Sequence, residues 1–385
     1  MSRRRNATKF NLLQELTNID EVIKCPEMVL GTSSLTIAPM VSSQRTSMLV
    51  KHISQHMTPN NPEYPKVSTG SENLYGDMSS YYHKVKNRSQ VVKIDKKFKT
   101  DHVATVFIRD MVTGEYDYIE RIEAKPFTEV FGFAFNNDAL DSLEENEVIE
   151  EGRILSRSTG YDDYGNNCIG VNALTLFSFN PNLTEDAAMI DSSFAEQTTF
   201  NKIHKIQIKI PMQNMIPLNV HGDKDHYKII PDIGEEIENV LCAVRHISIT
   251  QMAELSNEEL MHENQLQDTI YKAKGEIIDI NIYTNTPFPE NSPVYEQIED
   301  YYEQQRVYYK KIYEFCQSIK KYPRTQRLKT LYSLAMDHVN EDASWVNTNV
   351  IKSLIIDIIT KEVVHLTPGQ KITGRFGNKS VVSII

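Results

Sequence analysis

The chain has 385 residues, of which 40% are hydrophobic and 24% are charged, and its formal net charge is −11. This length and composition are typical of a soluble globular protein with two or three domains. Because a polyanion is bound by a local excess of Lys and Arg, the acidic balance argues against a free-standing nucleic-acid-binding protein. Any contact with nucleic acid must therefore be local or shared with a partner chain.

The cysteines and the N-terminal residues indicate the compartment. The four cysteines are separated by more than seventy residues each and form no CxxC pair, so a zinc site or a disulfide framework is not expected. The N-terminus lacks the apolar core of a signal peptide, and no run of eighteen apolar residues occurs. We therefore expect a cytoplasmic protein without a membrane span.

Alternating apolar residues predict strands, and one region with a different period predicts helices. The predicted strands are 84–94, 102–110, 116–124, 172–179, 202–210 and 275–285. Between Tyr295 and Val339 the apolar residues recur near every 3.6 positions, and Pro323 divides this region into two helices. Its tyrosines suit either base stacking or packing, and packing is the commoner role of such a stripe.

A short pattern of a turn residue flanked by β-branched and apolar residues occurs three times. The three copies are "ENEVIEEGRIL" (145–155), "DIGEEIENVLC" (232–242) and "VVHLTPGQKI" (363–372). Each resembles the strand, turn and strand that enter a small barrel.

The closing segment "GQKITGRFGNKS" (369–380) contains three glycines and three cations. Gly374 and Gly377 allow the backbone to approach a ligand closely. Lys371, Arg375 and Lys379 supply the positive charge that a phosphate group needs. The spacing is not that of a P-loop, and a basic β-turn without a ligand is the alternative interpretation.

The adjacent carboxylates Glu185 and Asp186 form a second candidate site. Such a pair can bind a divalent metal ion directly or through water. The alternative interpretation is a helix N-terminus, with Thr184 as N-cap and acidic residues in the first turn. A third string, "YDDYG" (161–165), is similar to a polymerase turn, but its neighbours predict a solvent-exposed loop.

Taken in order along the chain, these segments resemble the catalytic half of the beta subunit of multisubunit DNA-dependent RNA polymerases. That family has a signature close to GDKxxGRHGNKG, and residues 369–380 share its lysines, arginine, asparagine and paired glycines, with Phe376 in place of the His. Residues 169–190 keep the family's Glu-Asp-Ala, with Thr184 in place of an aromatic residue. Residues 38–57 and 64–72 are similar to an Arg-to-Gln segment and a Thr-Gly-Glu segment upstream. A beta subunit divided into pieces is most like the split polymerases of large bacteriophages.

The resemblance implies a fold and a domain order. The implied class is mixed α/β but mainly β, a double-psi β-barrel with an inserted flap-like module of helices and strands. The implied divisions are a fork-like segment (1–110), the first part of the barrel (111–250), a flap-like insertion with a helical arm (251–350) and closing barrel strands (351–385).

The resemblance also implies a role in RNA synthesis. Lys371 and Lys379 would lie over the RNA 3′ end, and Glu185 and Asp186 would act near the second Mg²⁺ through water. The remaining residues implied to contact nucleotide or RNA are Arg45, Gln55, Arg375 and Asn378. The principal metal ligands would lie on a beta-prime-like partner, because no NADFDGD-like string occurs here.

The partners implied are other beta-subunit fragments, beta-prime-like subunits, a promoter-specificity factor, DNA template, RNA product and nucleoside triphosphates. A hetero-oligomer without membrane contact is expected, either in the host cytoplasm or packaged in a virion. Since the family's chain continues beyond the closing motif, another polypeptide is expected to supply the missing parts. Two alternatives are a non-catalytic β-barrel scaffold or single-stranded nucleic-acid-binding subunit, and a metal-dependent hydrolase built on Glu185 and Asp186.

Overall fold

The computed structural model describes residues 40–53, 57–68, 82–126, 132–211, 214–223, 226–247, 268–284, 288, 292–339 and 353–385. Within these ranges the fold is mainly β, with five small sheets and a smaller helical part. The predicted mainly β class is thus confirmed. In the part of the chain that the structure describes, no helix has the length and apolar character needed to cross a membrane.

The central sheet carries the largest buried cluster. Its antiparallel strands are, in spatial order, β10 (Thr199–Ile210), β16 (Leu354–His365), β15 (Gly275–Tyr283) and β12 (Glu236–Ile237). The first two pair over twelve residues, from Thr199 opposite His365 to Ile210 opposite Leu354. Isoleucines from the three long strands fill the cluster, because alternate side chains of a strand share one face.

A second sheet is covered by two helices. Its strands are β4 (Tyr116–Glu120), β3 (Val103–Asp110), β2 (Ser89–Lys96) and β7 (Val148–Ile149). The helices are α4 (Glu296–Ser318), which follows a 3-10 turn at Pro293–Tyr295, and α5 (Gln326–Val339). Pro323 lies between them, as predicted. Phe107 of β3 is fully buried against this helical pair.

The tyrosines of the helical region pack within the protein. The ring of Tyr309 stacks on that of His338 at 3.8 Å, and Tyr313 stacks on Tyr332 at 5.6 Å. Tyr301 is buried and donates its hydroxyl hydrogen to Asp232. The packing interpretation of the tyrosine stripe is therefore confirmed at these positions. In α5, Leu328, Leu331 and Ala335 are buried, whereas Leu334 is exposed.

Two further sheets complete the body of the fold. One contains β1 (Tyr82–Lys84), β8 (Ile154–Ser158), β6 (Gly132–Asn136) and β5 (Ala124–Pro126), with the short helix α2 (Asp138–Asp141) beside it. The other contains β11 (Met215–Pro217), β13 (Val240–His246) and β14 (Asp268–Lys272).

The fifth sheet, the closing sheet, is formed by the last strands of the chain. β17 (Lys371–Thr373) and β18 (Lys379–Ile384) form an antiparallel hairpin, and β18 pairs in parallel with β9 (Ala187–Met189). One face of this sheet packs beside α3 (Ser192–Gln197), where Val382 and Ala195 are buried. The remaining helix, α1 (Ser43–Ile53), contacts the hairpin turn through the bonds described below.

The three repeated sequence patterns form the same backbone turn. The amide of Gly152, Gly234 or Gly369 donates to the carbonyl oxygen of Val85, Ile277 or Val382, respectively, at 2.7 to 2.8 Å. The amide of that aliphatic residue donates back to the carbonyl oxygen of the residue after the glycine. All three glycines have φ between 82° and 90°, a conformation that favours glycine. The similarity seen in the sequence is thus a repeated structural unit.

Two predictions from the sequence are wrong. The segment 172–179 forms no strand, although its residues alternate. Glu185 and Asp186 do not begin a helix with Thr184 as its cap, because the next residues form β9. The string 161–165 forms a turn with exposed Tyr164, in agreement with the loop prediction.

Candidate functional site

The closing hairpin places two lysines on one exposed face. Thr373 pairs directly with Lys379, and Lys371 pairs with Val381. Alternate residues of a strand share a face, as do directly paired residues, so Lys371, Thr373 and Lys379 lie on the same side. Diagonal neighbours of this kind are about 7–8 Å apart. Both lysines are exposed, whereas Val382 on the opposite face is buried.

The hairpin turn lies against the backbone of α1. Gly374 donates its amide hydrogen to the carbonyl oxygen of Asn378 at 2.8 Å, which closes the turn. The Nη1 atom of Arg45 donates to the carbonyl oxygen of Gly377 at 3.1 Å. A Cβ atom added to Gly377 would lie 2.7 Å from the carbonyl oxygen of Arg45. The absence of a side chain at Gly377 is therefore what permits this contact.

Replacing Gly377 by alanine is expected to separate α1 from the hairpin. Gly377 has a φ of 76°, so alanine adds backbone strain as well as the clash, about 1–3 kcal/mol for the conformation alone. Gly114→Ala is the matched control, because Gly114 has a φ of 73° with no atom within 4 Å of an added Cβ. We expect faster amide hydrogen exchange in 43–53 only in Gly377→Ala. Equal exchange in the two variants would contradict the proposed role of the contact.

Arg375 connects the hairpin to Val67, which lies in the segment 64–72 named in the sequence analysis. Its Nη1 donates to the carbonyl oxygen of Val67 at 2.6 Å. The neighbouring Lys66 amide donates to the side chain of Asn172 at 3.0 Å, and Asn172 donates to Glu63 at 2.8 Å. The guanidinium of Arg375 therefore contacts protein backbone, a role that the sequence did not predict.

The carboxylates Glu185 and Asp186 reach the same sheet through the parallel pairing of β9 with β18. Val381 donates its amide hydrogen to the carbonyl oxygen of Asp186 at 3.1 Å. Val381 pairs with Ala187. Lys379 lies two residues before Val381, and Glu185 lies two residues before Ala187. Glu185 has a φ of 50°, which is uncommon for a residue with a side chain. Both acidic residues are exposed.

His52 is a contact that the sequence prediction missed. It lies two helical turns after Arg45 in α1, and its Nδ1 is 3.1 Å from the Thr373 hydroxyl oxygen. The same hydroxyl lies 2.9 Å from the carbonyl oxygen of Asn378 and 3.2 Å from that of Gly374, and either oxygen can accept its hydrogen. Partial burial and the charges of Lys379, Lys51 and Lys371 hold the pKa of His52 below its usual value. In the sequence, this contact is indicated by the spacing of seven residues between Arg45 and His52, which places both on the same face of a helix.

The side chains of Glu185 and Asp186 are of a type that binds Mg²⁺. Carboxylate oxygens are ligands that Mg²⁺ prefers, and this ion commonly keeps several waters. Two exposed adjacent carboxylates fit a partial or water-mediated set of ligands. Among the described residues, no group of three or more His, Cys, Asp or Glu side chains is arranged as a metal site.

A fully exposed apolar segment leads into the carboxylate pair. Leu174, Leu176, Phe177 and Phe179 are 106%, 86%, 92% and 89% exposed, respectively. In the period-two pattern, the leucines would share one face of a strand and the phenylalanines the other. Contiguous exposed apolar side chains are typical of interaction sites. We name residues 173–179 the exposed segment.

The structure thus brings most of the predicted site together. Lys371, Lys379, Asn378, Arg45 and Arg375 lie on the hairpin or contact its neighbours, and β9 connects Glu185 and Asp186 to it. Gln55 and Ser54 lie outside the described residues. Phe376, which stands where the family signature has His, is 47% exposed at the turn. Comparison with models of known protein families and with curated proteins finds no match for this chain.

Proposed function

We propose that this chain is a fragment of the beta subunit of a multisubunit DNA-dependent RNA polymerase. It contributes residues that bind the nucleoside triphosphate and the RNA 3′ end during transcription. The proposed fold is a double-psi β-barrel with a flap-like insertion, and the split subunits of large bacteriophages are its proposed relatives. The chain acts only within a complex that contains beta-prime-like subunits.

The convergence of distant segments on the closing hairpin carries this proposal. Arg45, Val67 and Asp186 are far apart in the sequence, yet each forms a hydrogen bond with the residues 375–381. These are the segments on which the resemblance to the polymerase family rests. Their contacts with one hairpin support a common site.

The proposed chemistry of the chain is electrostatic. RNA synthesis joins a 3′ hydroxyl to an α-phosphate and releases pyrophosphate, so negative charge develops on phosphate oxygens. Lys371 and Lys379 hold two positive charges on one face, where they would stabilise that charge without reorganisation. Arg45 and Arg375 position the hairpin through its backbone contacts. When bound, Mg²⁺ would stabilise the attacking and leaving oxygens, with Glu185 and Asp186 contacting its waters.

The exposed segment supports the proposal that partner chains complete the enzyme. A strand that is apolar on both faces is typical of a sheet interior, covered on both sides. Among the described residues no strand pairs with 173–179. A strand of a partner subunit, or of another beta-subunit fragment, would supply both the hydrogen bonds and the apolar contacts.

RNA extension by the purified complex tests the proposed function. The chain carries an affinity tag, the proteins that co-purify from infected cells are identified, and an RNA primer on a DNA scaffold is supplied with nucleotides and Mg²⁺. Template-directed extension is the expected result. A stable complex that binds the scaffold without extending RNA would favour the alternative, a non-catalytic scaffold or single-stranded nucleic-acid-binding subunit.

A further inference from the structure

We propose that His52 is a proton-dependent phosphate contact, which binds together with Lys371 and Lys379 and takes up a proton when the phosphate group arrives. The inference rests on the proposed function, because that function supplies the phosphate groups of nucleotides and RNA. It adds a residue for which the polymerase resemblance implies no role.

The register of the closing hairpin positions His52 near both lysines. The imidazole bonds to Thr373, which pairs with Lys379 and lies two residues from Lys371 on the same face. A phosphate group that contacts both lysines must therefore approach Thr373 and the ring above it. The contact spans 321 residues of sequence, so it depends on the docking of α1 on the hairpin.

The hydrogen bonding of His52 determines which ring nitrogen can exchange a proton. When the Thr373 hydroxyl donates to the carbonyl oxygen of Asn378 or Gly374, its oxygen accepts the hydrogen on Nδ1 of His52. A neutral ring then has no hydrogen on Nε2. Protonation adds a hydrogen at Nε2, which becomes a second donor that can bind a phosphate oxygen.

The charges around the ring explain why the proton should arrive with the ligand. In the free protein, partial burial and the positive charges of Lys379 and Lys371 on the hairpin and Lys51 on α1 oppose protonation. A phosphate group brings negative charge to the same face and offsets this repulsion. The pKa of His52 should therefore rise on binding, so that phosphate affinity increases as the pH falls.

The test uses the full chain, pyrophosphate as the probe, and two variants. His52→Asn keeps an amide nitrogen near the position of Nδ1, so it can retain the contact with Thr373 while removing the nitrogen that titrates. His226→Asn is the matched control, because the His226 side chain is 87% exposed in a loop outside the site. Binding is measured by calorimetry from about pH 8 to about pH 6, and imidazole titration by NMR with and without pyrophosphate.

Uptake of one proton makes affinity rise by at most about tenfold for each pH unit. We expect the ratio of wild-type to His52→Asn affinity to grow severalfold over this range, because protonation of pyrophosphate itself affects both proteins equally. We also expect pyrophosphate to raise the His52 pKa in the NMR titration. Equal pH dependence in wild type and His52→Asn, or binding of neither pyrophosphate nor short single-stranded RNA by the wild-type chain, would overturn the inference.

Parallel measurements distinguish a nucleotide phosphate from an RNA phosphate. They also distinguish the role of His52 from the proposed polymerase function. A response to pyrophosphate assigns the contact to a nucleotide or its product, whereas a response only to short single-stranded RNA assigns it to the RNA backbone. If the complex extends RNA but the pH dependence of phosphate binding does not depend on His52, only the proposed role of His52 is overturned. Histidine-linked binding by a chain whose complex never extends RNA would instead overturn the polymerase function and leave an anion site.

Discussion

Replacing Lys379 by alanine is expected to slow RNA extension by the assembled complex by about 10²-fold to 10³-fold. Lys379 pairs with Thr373 in the closing hairpin, and its strand lies beside the strand that follows Asp186. Fixed positive charge there would favour the transition state more than the bound substrates. The rate constant is measured by rapid quench on a preassembled scaffold, so that assembly and chemistry are observed separately.

The control for Lys379→Ala is Lys320→Ala, since Lys320 is an exposed lysine beyond the end of α4. Both variants should assemble and bind the scaffold like the wild type, because an exposed lysine contributes little to folding. An extension rate within about twofold of the wild type for Lys379→Ala would contradict the placement of this lysine in the active centre.

Replacing Leu176 and Phe177 together by aspartate is expected to prevent assembly of the complex. Burial of a large apolar side chain contributes about 1.5–3 kcal/mol, so two lost contacts lower affinity by roughly 10²-fold to 10⁴-fold. The thermal unfolding of the isolated chain should be unchanged, because both side chains are at least 86% exposed. Co-purification and analytical ultracentrifugation measure assembly, and calorimetry measures unfolding.

A double aspartate variant at Met111 and Val112 controls for added negative charge. These residues are 52% and 74% exposed at the turn between β3 and β4, which is not part of the exposed segment. The control should assemble normally. Normal assembly of the Leu176 and Phe177 variant would contradict the partner strand proposed for this segment.

Five of the six predicted strands and both long helices are present, because their side chains follow simple periods. The alternation at 206–210 matches Ile208 and Ile210, which are buried in β10, and the spacing in 295–339 matches the buried face of α4. The prediction failed at 172–179 for a physical reason. Alternation reports which side chains suit a strand, but a strand also needs a neighbour for its backbone hydrogen bonds, and 173–179 has none among the described strands.

The candidate site could be located in the sequence but its internal contacts could not. The closing motif identified Lys371 and Lys379 from residue types alone. The bond from Arg45 to Gly377 joins residues 332 positions apart, and that from Arg375 to Val67 joins residues 308 positions apart. Contacts of that kind depend on how the sheet and helix dock. His52 was missed for the same reason, since its role follows from the register of Thr373 and Lys379.

Crosslinking of RNA to the closing hairpin tests the central claim most directly. An RNA primer with a photoreactive 3′-terminal nucleotide is bound to the complex with its DNA template, irradiated, and the attached peptide is identified by mass spectrometry. We predict attachment within 371–379 or within α1, which contacts that turn. Attachment only to other subunits, from a primer that the same complex extends, would contradict the claim that this hairpin lies at the RNA 3′ end.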